Sequence, residues 1–429
     1  MAIQTVVSGR IRNPALTGVR GMAAFVIFLH HAFGYVLEPR SSLDTAIAGL
    51  AAPGFAALDW FFVLSGLFIG QILLTDGTSP EALKHYMSRR VLRIVPLYWL
   101  VLAVVVIVFP LAVRAFGVGG EWKELADGYR TLWAPYATFA NNIVLDAGST
   151  AAEFSLSHFW TVSLELQFYL LAPIVVILAR RRVVHVAFGL ALAIMAFRLG
   201  AAVLGTPHDA MYRQPWFHSD SLFLGMCMGA CQISGTSVPW SRIPRKLLIA
   251  TVPLNLVIAM ALASYRPDSG YATPFSLTAT SVAGVLVIEN VLRPEPTRLH
   301  RALKRPFWMW SGDRSYPFYL LHVPVLVAVN LALGEVLVIG AGDTSVRLPH
   351  TVLVAAVTFA VTMGLSHVLH VALERPLLRW ASSRFRIQKR STTSASSPLG
   401  RSPLEGQAEG IEPLCGLILS DPENRGDRP

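Results

Sequence analysis

Residues 16–37 read LTGVRGMAAFVIFLHHAFGYVL, an apolar run of about 20 residues, long enough to span a bilayer, into which Arg20 and His31 are set. A cation near the middle of a membrane helix costs about 2.5–3.5 kcal/mol on insertion scales, so an intramembrane Arg and His point to a functional site. Their spacing sharpens this. Eleven residues at ~100° each end about 20° past three full turns, so both side chains fall on one helix face, about 16 Å apart in height. His30 points about 100° away, which favours His31 over His30 as the partner of Arg20.

The rest of the chain fits the same setting. Hydrophobic residues make up 53% of the 429 and charged residues 14%. With a mean hydropathy of +0.51, the chain is far more apolar than a soluble protein. Apolar runs of about 20 residues fall at 16–37, 55–75, 94–113, 159–179, 183–204, 216–234, 247–265, 274–292, 315–333 and 350–374. The expected fold is an all-α polytopic membrane protein of about ten transmembrane helices. Residues 1–13 form a cytoplasmic segment, 14–380 the transmembrane domain and 381–429 a tail.

Charge alternation supports this count and sets the orientation. With both termini cytoplasmic, the inner loops hold Arg10, Arg12, Lys84, Arg89, Arg90, Arg93, the run Arg180–Arg182, Arg242, Arg245 and Lys246, the cluster from Arg293 to Arg314, and Arg375 to Arg390. The outer set is sparse: Arg40, Arg114, Lys123, Arg130, Arg213, Arg266 and Arg347. The net charge of +10 is therefore read as inner loops facing anionic lipid, with no nucleic-acid partner needed. Cys227 and Cys231 at i, i+4 in an apolar run, with Cys415 in the tail, offer neither a disulfide framework nor zinc spacing, and no metal site is expected. Ala46 and Ala48 mimic a signal-peptide cleavage site, but the preceding run is too long and too polar, so it reads as a retained helix. The tail past Trp380 turns to Ser, Thr, Pro, Gly and charge and is expected to be disordered. The longest outer loop, 114–158, is the candidate lid or acceptor-binding element. No internal repeat stands out.

Further polar groups enter the membrane. Asp59, in Asp59-Trp60-Phe61-Phe62-Val63-Leu64-Ser65-Gly66, is expected about 6 Å below the outer surface and His31 about 9 Å below the end of its helix, so the two could meet. Such a carboxylate would fix the His tautomer, as in a triad; a purely interfacial Asp59 is the competing reading. Ser65-Gly66 reads as a close-packing pair between helices rather than a nucleophile. Arg90 and Arg93, beside Arg89, share a helix face at the inner rim and suit phosphates, although an ordinary positive-inside cluster would look the same. Glu165 sits about two turns inside the fourth helix, placed to bind an acceptor hydroxyl or to pair with a buried cation. His322, about 10 Å above the inner side, is expected nearer the depth of Arg20 than of His31, as a ligand contact or a packing hydrogen bonder.

Together these residues resemble the acyltransferase 3 family of membrane O-acyltransferases. The resemblance is carried by Leu16-Thr17-Gly18-Val19-Arg20-Gly21 with His31, Phe61-Phe62-Val63-Leu64-Ser65-Gly66, Arg89-Arg90 with Arg93-Ile94 and Pro96, Trp160 through Glu165 to Gln167-Phe168-Tyr169, Ser315-Tyr316-Pro317 with Tyr319-Leu320 and His322, and Glu374-Arg375-Pro376. It implies transfer of an acyl group, often acetyl, from coenzyme A to a hydroxyl, with Arg20 and His31 essential and Arg90 with Arg93 holding the donor. Acceptors in the family are surface or secreted glycans and, in some branches, small molecules such as macrolides. Two positions depart from its pattern: Leu166 follows Glu165 where a second Glu is frequent, and His218 stands two before Asp220 where an Arg is common. The hydrolase-like domain fused to some members is not read in this sequence, so a second step would need a separate partner.

The expected reaction runs from cytoplasmic acyl-CoA, with acetyl-CoA the first candidate and no permanently bound cofactor. Its phosphates would dock on Arg90 and Arg93, Arg20 would face phosphate or thioester, and His31 would take the acceptor proton. An inner, plasma-membrane location follows from this. A transporter or glycan exporter using the same polar groups is the alternative from another class.

Overall fold

The computed structural model describes residues 6–7, 10–11, 13–34, 37, 41–145, 150–237, 242–244, 247, 272–293, 297–333 and 348–384. Apart from a two-residue antiparallel pair, Val6–Val7 with Arg10–Ile11, these residues form helices and their connections. Asn13 starts the first long helix. Its Oδ1 accepts from the Ala15 N–H at 3.0 Å, and Pro14 takes the first helical position, where its missing N–H costs nothing. This helix, α1, runs Pro14–Gly34. There follow α2 (Ser42–Ala51), α3 (Ala57–Asp76), α4 (Pro80–Ala103), α5 (Phe109–Ala115), α6 (Gly120–Ala137), α7 (Asn141–Val144), α8 (Ala151–Ser157), α9 (Trp160–Ala179) and α10 (Val183–Val203). Next come α11 (His208–Arg213), α12 (Pro215–His218), α13 (Asp220–Ser234), α14 (Ala272–Leu292), α15 (Arg298–Leu303), α16 (Pro306–Asp313), α17 (Ser315–Ala332), α18 (Leu348–Leu369) and α19 (Arg375–Arg384).

Among the described residues, seven helical stretches are long and apolar enough to cross a membrane, and the chain is an all-α polytopic membrane protein. Seven is fewer than the expected ten, for physical reasons. The stretch 151–203 holds both α9 and α10, separated where Arg180 takes a positive φ of 49° and the turn Arg180–Arg182 follows. Helix α13, at 15 residues, is about 22 Å long and falls short of a hydrocarbon core of about 30 Å. Apart from Leu247, the run expected at 247–265 lies outside the described residues, as does the tail from 385 onward.

Helices this apolar have no polar face to orient them, and small residues set their contacts instead. Gly66 and Gly70 of α3 lie against Gly225 and Gly229 of α13. A Cβ at Gly66 would stand 2.0 Å from Leu222 O, and one at Gly225 2.1 Å from Val63 O, so the two backbones touch. The close-packing reading of Gly66 is thus met, while its neighbour Ser65 turns to other work. The foot of α1 is clamped in the same way. A Cβ at Gly18 would meet Leu303 O at 2.0 Å, one at Gly312 would meet Thr17 O at 2.0 Å and one at Gly21 would meet Trp308 O at 2.5 Å, so α15 and α16 hold α1 both before and after Arg20.

The expected outer lid is largely helical. Tyr98 Oη donates to Tyr136 O at 2.9 Å and Trp99 Nε1 to Ala137 O at 3.2 Å, which fastens α6 to α4. Thr150 and Glu153 form a reciprocal capping box that starts α8, and α8 carries Phe154 and then His158 into the bundle. A π-helical turn at His370–Glu374, a local irregularity frequent at functional sites, leaves Glu374 buried and held by His370 Nδ1 at 2.8 Å.

Candidate active site

A cavity of about 110 Å³ lies among α1, α3, α4, α9 and α17, with room for several waters or a small chemical group. Its polar wall is made by Arg20, Arg90, Arg93, Glu165, Tyr169 and Ser65, and its apolar wall by side chains such as Phe61, Phe62 and Phe68. Arg90 and Arg93 reach it together because i and i+3 share a helix face. Arg89 does not line it. One residue earlier and about 100° round the helix, Arg89 meets His85 Nε2 at 3.4 Å instead.

The guanidiniums are held from behind. Ser65 Oγ and Tyr169 Oη both donate to Glu165 Oε1, the second at 2.5 Å, and Arg90 lies 5.1 Å above the centroid of the Tyr169 ring. Glu165 thus orients Tyr169, and Tyr169 supplies an aromatic face to the cation. The carboxylates within electrostatic reach of Arg20 are Glu374 and Glu165, with Arg93 as a like charge. Three lining guanidiniums therefore face one lining carboxylate, an arrangement suited to a phosphorylated or otherwise anionic ligand. Glu165, read from sequence as an acceptor contact or as the partner of a buried cation, lies in this cationic cavity.

A second constellation begins behind Tyr319. This tyrosine lines the cavity, accepts from Thr161 Oγ1 at 2.8 Å and donates to His158 O at 3.0 Å. Its ring stands 5.3 Å from that of His158 and 5.4 Å from that of His322. Beyond it, His322 Nε2 lies 3.2 Å from His31 Nδ1, and the rings of His31 and His158 are 6.2 Å apart. Phe154 of α8 closes on His31 edge-on at 6.3 Å. His322 thus sits beside His31, not at the depth of Arg20. The sequence estimate started α17 at the membrane surface, whereas the packing of Gly312 on Thr17 starts it already level with the polar foot of α1.

Asp59 is elsewhere. It accepts from Ser221 Oγ, from Ser281 Oγ at 3.5 Å, and lies 3.4 Å from His218 Nε2, so the expected contact with His31 is not made. Its network continues through Ser281 Oγ to Asp220 Oδ2 at 2.8 Å, and Asp220 takes a two-pronged ion pair from Arg198 at 3.1 Å on each prong, both side chains fully buried. Arg198 also reaches Phe217 O at 2.5 Å and Thr278 Oγ1 at 2.8 Å. The guanidinium at this corner comes from α10, while His218 faces Asp59. Sequence reading passed over both Arg198 and His158. Each is a polar residue in or beside an apolar run, which is the signal that singled out Arg20.

The structure therefore gathers Arg20, Arg90, Arg93 and Glu165 in one cavity, gathers His31 and His322 in an adjoining cluster, and leaves Arg89 and Asp59 out of both. Comparison with known proteins bears on the family of the chain. The chain is 24% identical over 393 residues to the acyltransferase MdmB of Streptomyces mycarofaciens, covering 87% of this chain and 94% of that protein. It is 24% identical over 335 residues to the peptidoglycan O-acetyltransferase OatA of Listeria monocytogenes, covering 73% of this chain and 49% of OatA, so it spans about half the length of that relative. No solved structure matches it. Residues 13–367 match the acyltransferase domain that defines the acyltransferase 3 family, and the chain belongs to that family of non-aminoacyl acyltransferases.

Proposed function

We propose that the protein is a membrane-embedded O-acyltransferase that moves an acyl group, acetyl in the first instance, from cytoplasmic acyl-CoA to a hydroxyl of a cell-surface or secreted glycan. The observation that carries this reading is the adjacency of the two constellations: Tyr319, bonded to Thr161, lines the cationic cavity and also packs its ring against His158 and His322 of the histidine cluster. The cavity suits the phosphates and thioester of the donor, and the cluster suits activation of a hydroxyl. Both carboxylates near Arg20 have other hydrogen-bond partners, Glu165 in Ser65 and Tyr169 and Glu374 in His370, so the guanidinium can turn to an incoming anion.

In this reading Arg90 and Arg93 grip donor phosphates and Arg20 polarises the thioester carbonyl or neutralises phosphate. His31 takes the proton of the acceptor hydroxyl as its oxygen bonds to the carbonyl carbon, a step worth about 10²–10⁴ in rate. The carbon–sulfur bond then breaks and the thiolate of coenzyme A recovers the proton. The orientation with both termini cytoplasmic, in the inner membrane, brings the donor cavity to the side where acyl-CoA is made.

The test is to supply acetyl-CoA labelled in the acetyl group to membranes carrying the protein and to separate the products. Base-labile label in the glycan fraction is expected. Label in an organic-soluble small molecule would change the acceptor class, and no transfer from any acyl-CoA would sink the proposal.

A further inference from the structure

A histidine that activates a hydroxyl ordinarily leans on a carboxylate, which fixes its tautomer. Asp59, the carboxylate expected for that part, is bonded to Ser221 and Ser281 and faces His218. Among the described residues a second imidazole, that of His322, stands beside His31, its ring centroid 5.0 Å away and tilted by 70°.

The protons on this pair can be counted. His322 Nδ1 lies 2.6 Å from the carbonyl of Tyr319, and a carbonyl only accepts, so Nδ1 carries the hydrogen and Nε2 of the neutral ring is an acceptor. His31 Nδ1 then faces two acceptors, His322 Nε2 at 3.2 Å and Ile27 O at 3.0 Å, and must itself be the donor. The lone pair of His31 is therefore on Nε2. The orientation of His322 is fixed by its neighbours: Phe318 stacks on it at an interplanar angle of 6°, and the His158 ring stands 4.8 Å away.

We infer that His322 is a positioning residue that stands in for the triad carboxylate, accepting the Nδ1 proton bond of His31 and holding His31 in the tautomer whose Nε2 is the base. The inference rests on the acyl-transfer reading above. As the acceptor oxygen bonds to the thioester carbonyl carbon, its proton passes to His31 Nε2, and the imidazolium formed gives its Nδ1–H more strongly to His322. When the carbon–sulfur bond breaks, the thiolate takes the Nε2 proton and both rings return to neutral. The step needs no carboxylate among the described residues, and no net charge stays on the two rings.

The experiment compares His322→Phe and His322→Gln with wild type in proteoliposomes at matched protein levels. Phe keeps a flat ring against Phe318 but cannot accept; Gln offers Oε1 as the acceptor in place of Nε2. The expected result is a fall in kcat of about 100-fold or more for His322→Phe, with KM for acetyl-CoA within about twofold, and recovery of at least about tenfold by His322→Gln. A Phe variant within about threefold of wild type, or a Gln variant no better than Phe, would overturn the inference. Nitrogen-15 NMR of ring-labelled histidine, with the His31 signals assigned by their loss in His31→Gln, reads the tautomer without turnover. Protonated Nδ1 with bare Nε2 is expected, and protonated Nε2 overturns the pairing. A wild type that turns over no acyl-CoA would defeat the functional reading alone, since the spectrum still decides the tautomer.

Discussion

Three arginines within five residues of α4, Arg89, Arg90 and Arg93, have different surroundings. Arg90 and Arg93 line the cavity, and Arg89 faces His85. If the cavity receives the phosphates of coenzyme A, replacing Arg90 or Arg93 by Gln removes a charge-assisted hydrogen bond worth about 1.5–3 kcal/mol. At about 1.4 kcal/mol per decade, that is a rise of about 10- to 150-fold in Kd or KM for acyl-CoA. Arg89→Gln removes a charge at the same rim and from the same helix, but not from the cavity, and should change KM by less than about threefold. Arg90→Lys restores the charge without the planar fork that stacks over Tyr169, so it should recover only part of the loss. Initial rates of label transfer against acetyl-CoA concentration give KM, and calorimetric titration of coenzyme A gives Kd. Equal effects from Arg89→Gln and Arg90→Gln would refute the reasoning. The rim would then act as a diffuse positive surface, as ordinary inner-loop charge would.

Three further expectations follow from particular contacts. Asp59→Asn should lower the melting temperature, because it disturbs the pair with His218, yet leave kcat within about tenfold, whereas loss of a triad carboxylate costs about 10⁴; a 10⁴-fold fall would restore Asp59 to catalysis. Arg198→Met leaves Asp220 buried without its ion pair, with Ser281 as the remaining side-chain hydrogen bond among the described residues, and should cost about 3–5 kcal/mol, more than the double change Arg198→Met with Asp220→Leu, as read by denaturation in detergent. Gly225→Val drives a side chain into Val63 O and should cost at least about 1–3 kcal/mol, seen as lost monodisperse yield in size-exclusion chromatography. Gly189→Ala, with nothing within 4 Å, should be neutral by the same measurement.

Helical periodicity alone gave the common face of Arg20 and His31 and that of Arg90 and Arg93, because spacing along one helix depends only on the residues between. Relations between helices were harder. An apolar-all-round helix such as α3 carries no pattern that reports its rotation, so the depth of Asp59 could be estimated but not the neighbour it faces. That neighbour is decided by Gly66 and Gly70 seating α3 on α13, which turns Asp59 toward Ser221 and His218. His322 was misplaced in depth for a related reason: the short α16, which seats α17 high against α1, is invisible to a search for membrane-length runs. Arg198 was legible in principle, as an arginine inside the apolar run 183–204, and only its partner required coordinates.

The central claim is that the cationic cavity holds the donor and His31, outside that cavity, performs the chemistry. One measurement separates the two parts: acetyl transfer and coenzyme A binding for wild type and His31→Gln at equal protein levels in the same lipid. The account predicts that His31→Gln loses at least about 10²-fold in transfer while binding coenzyme A within about twofold of wild type. Transfer that survives in His31→Gln, or binding that disappears together with transfer, would contradict it.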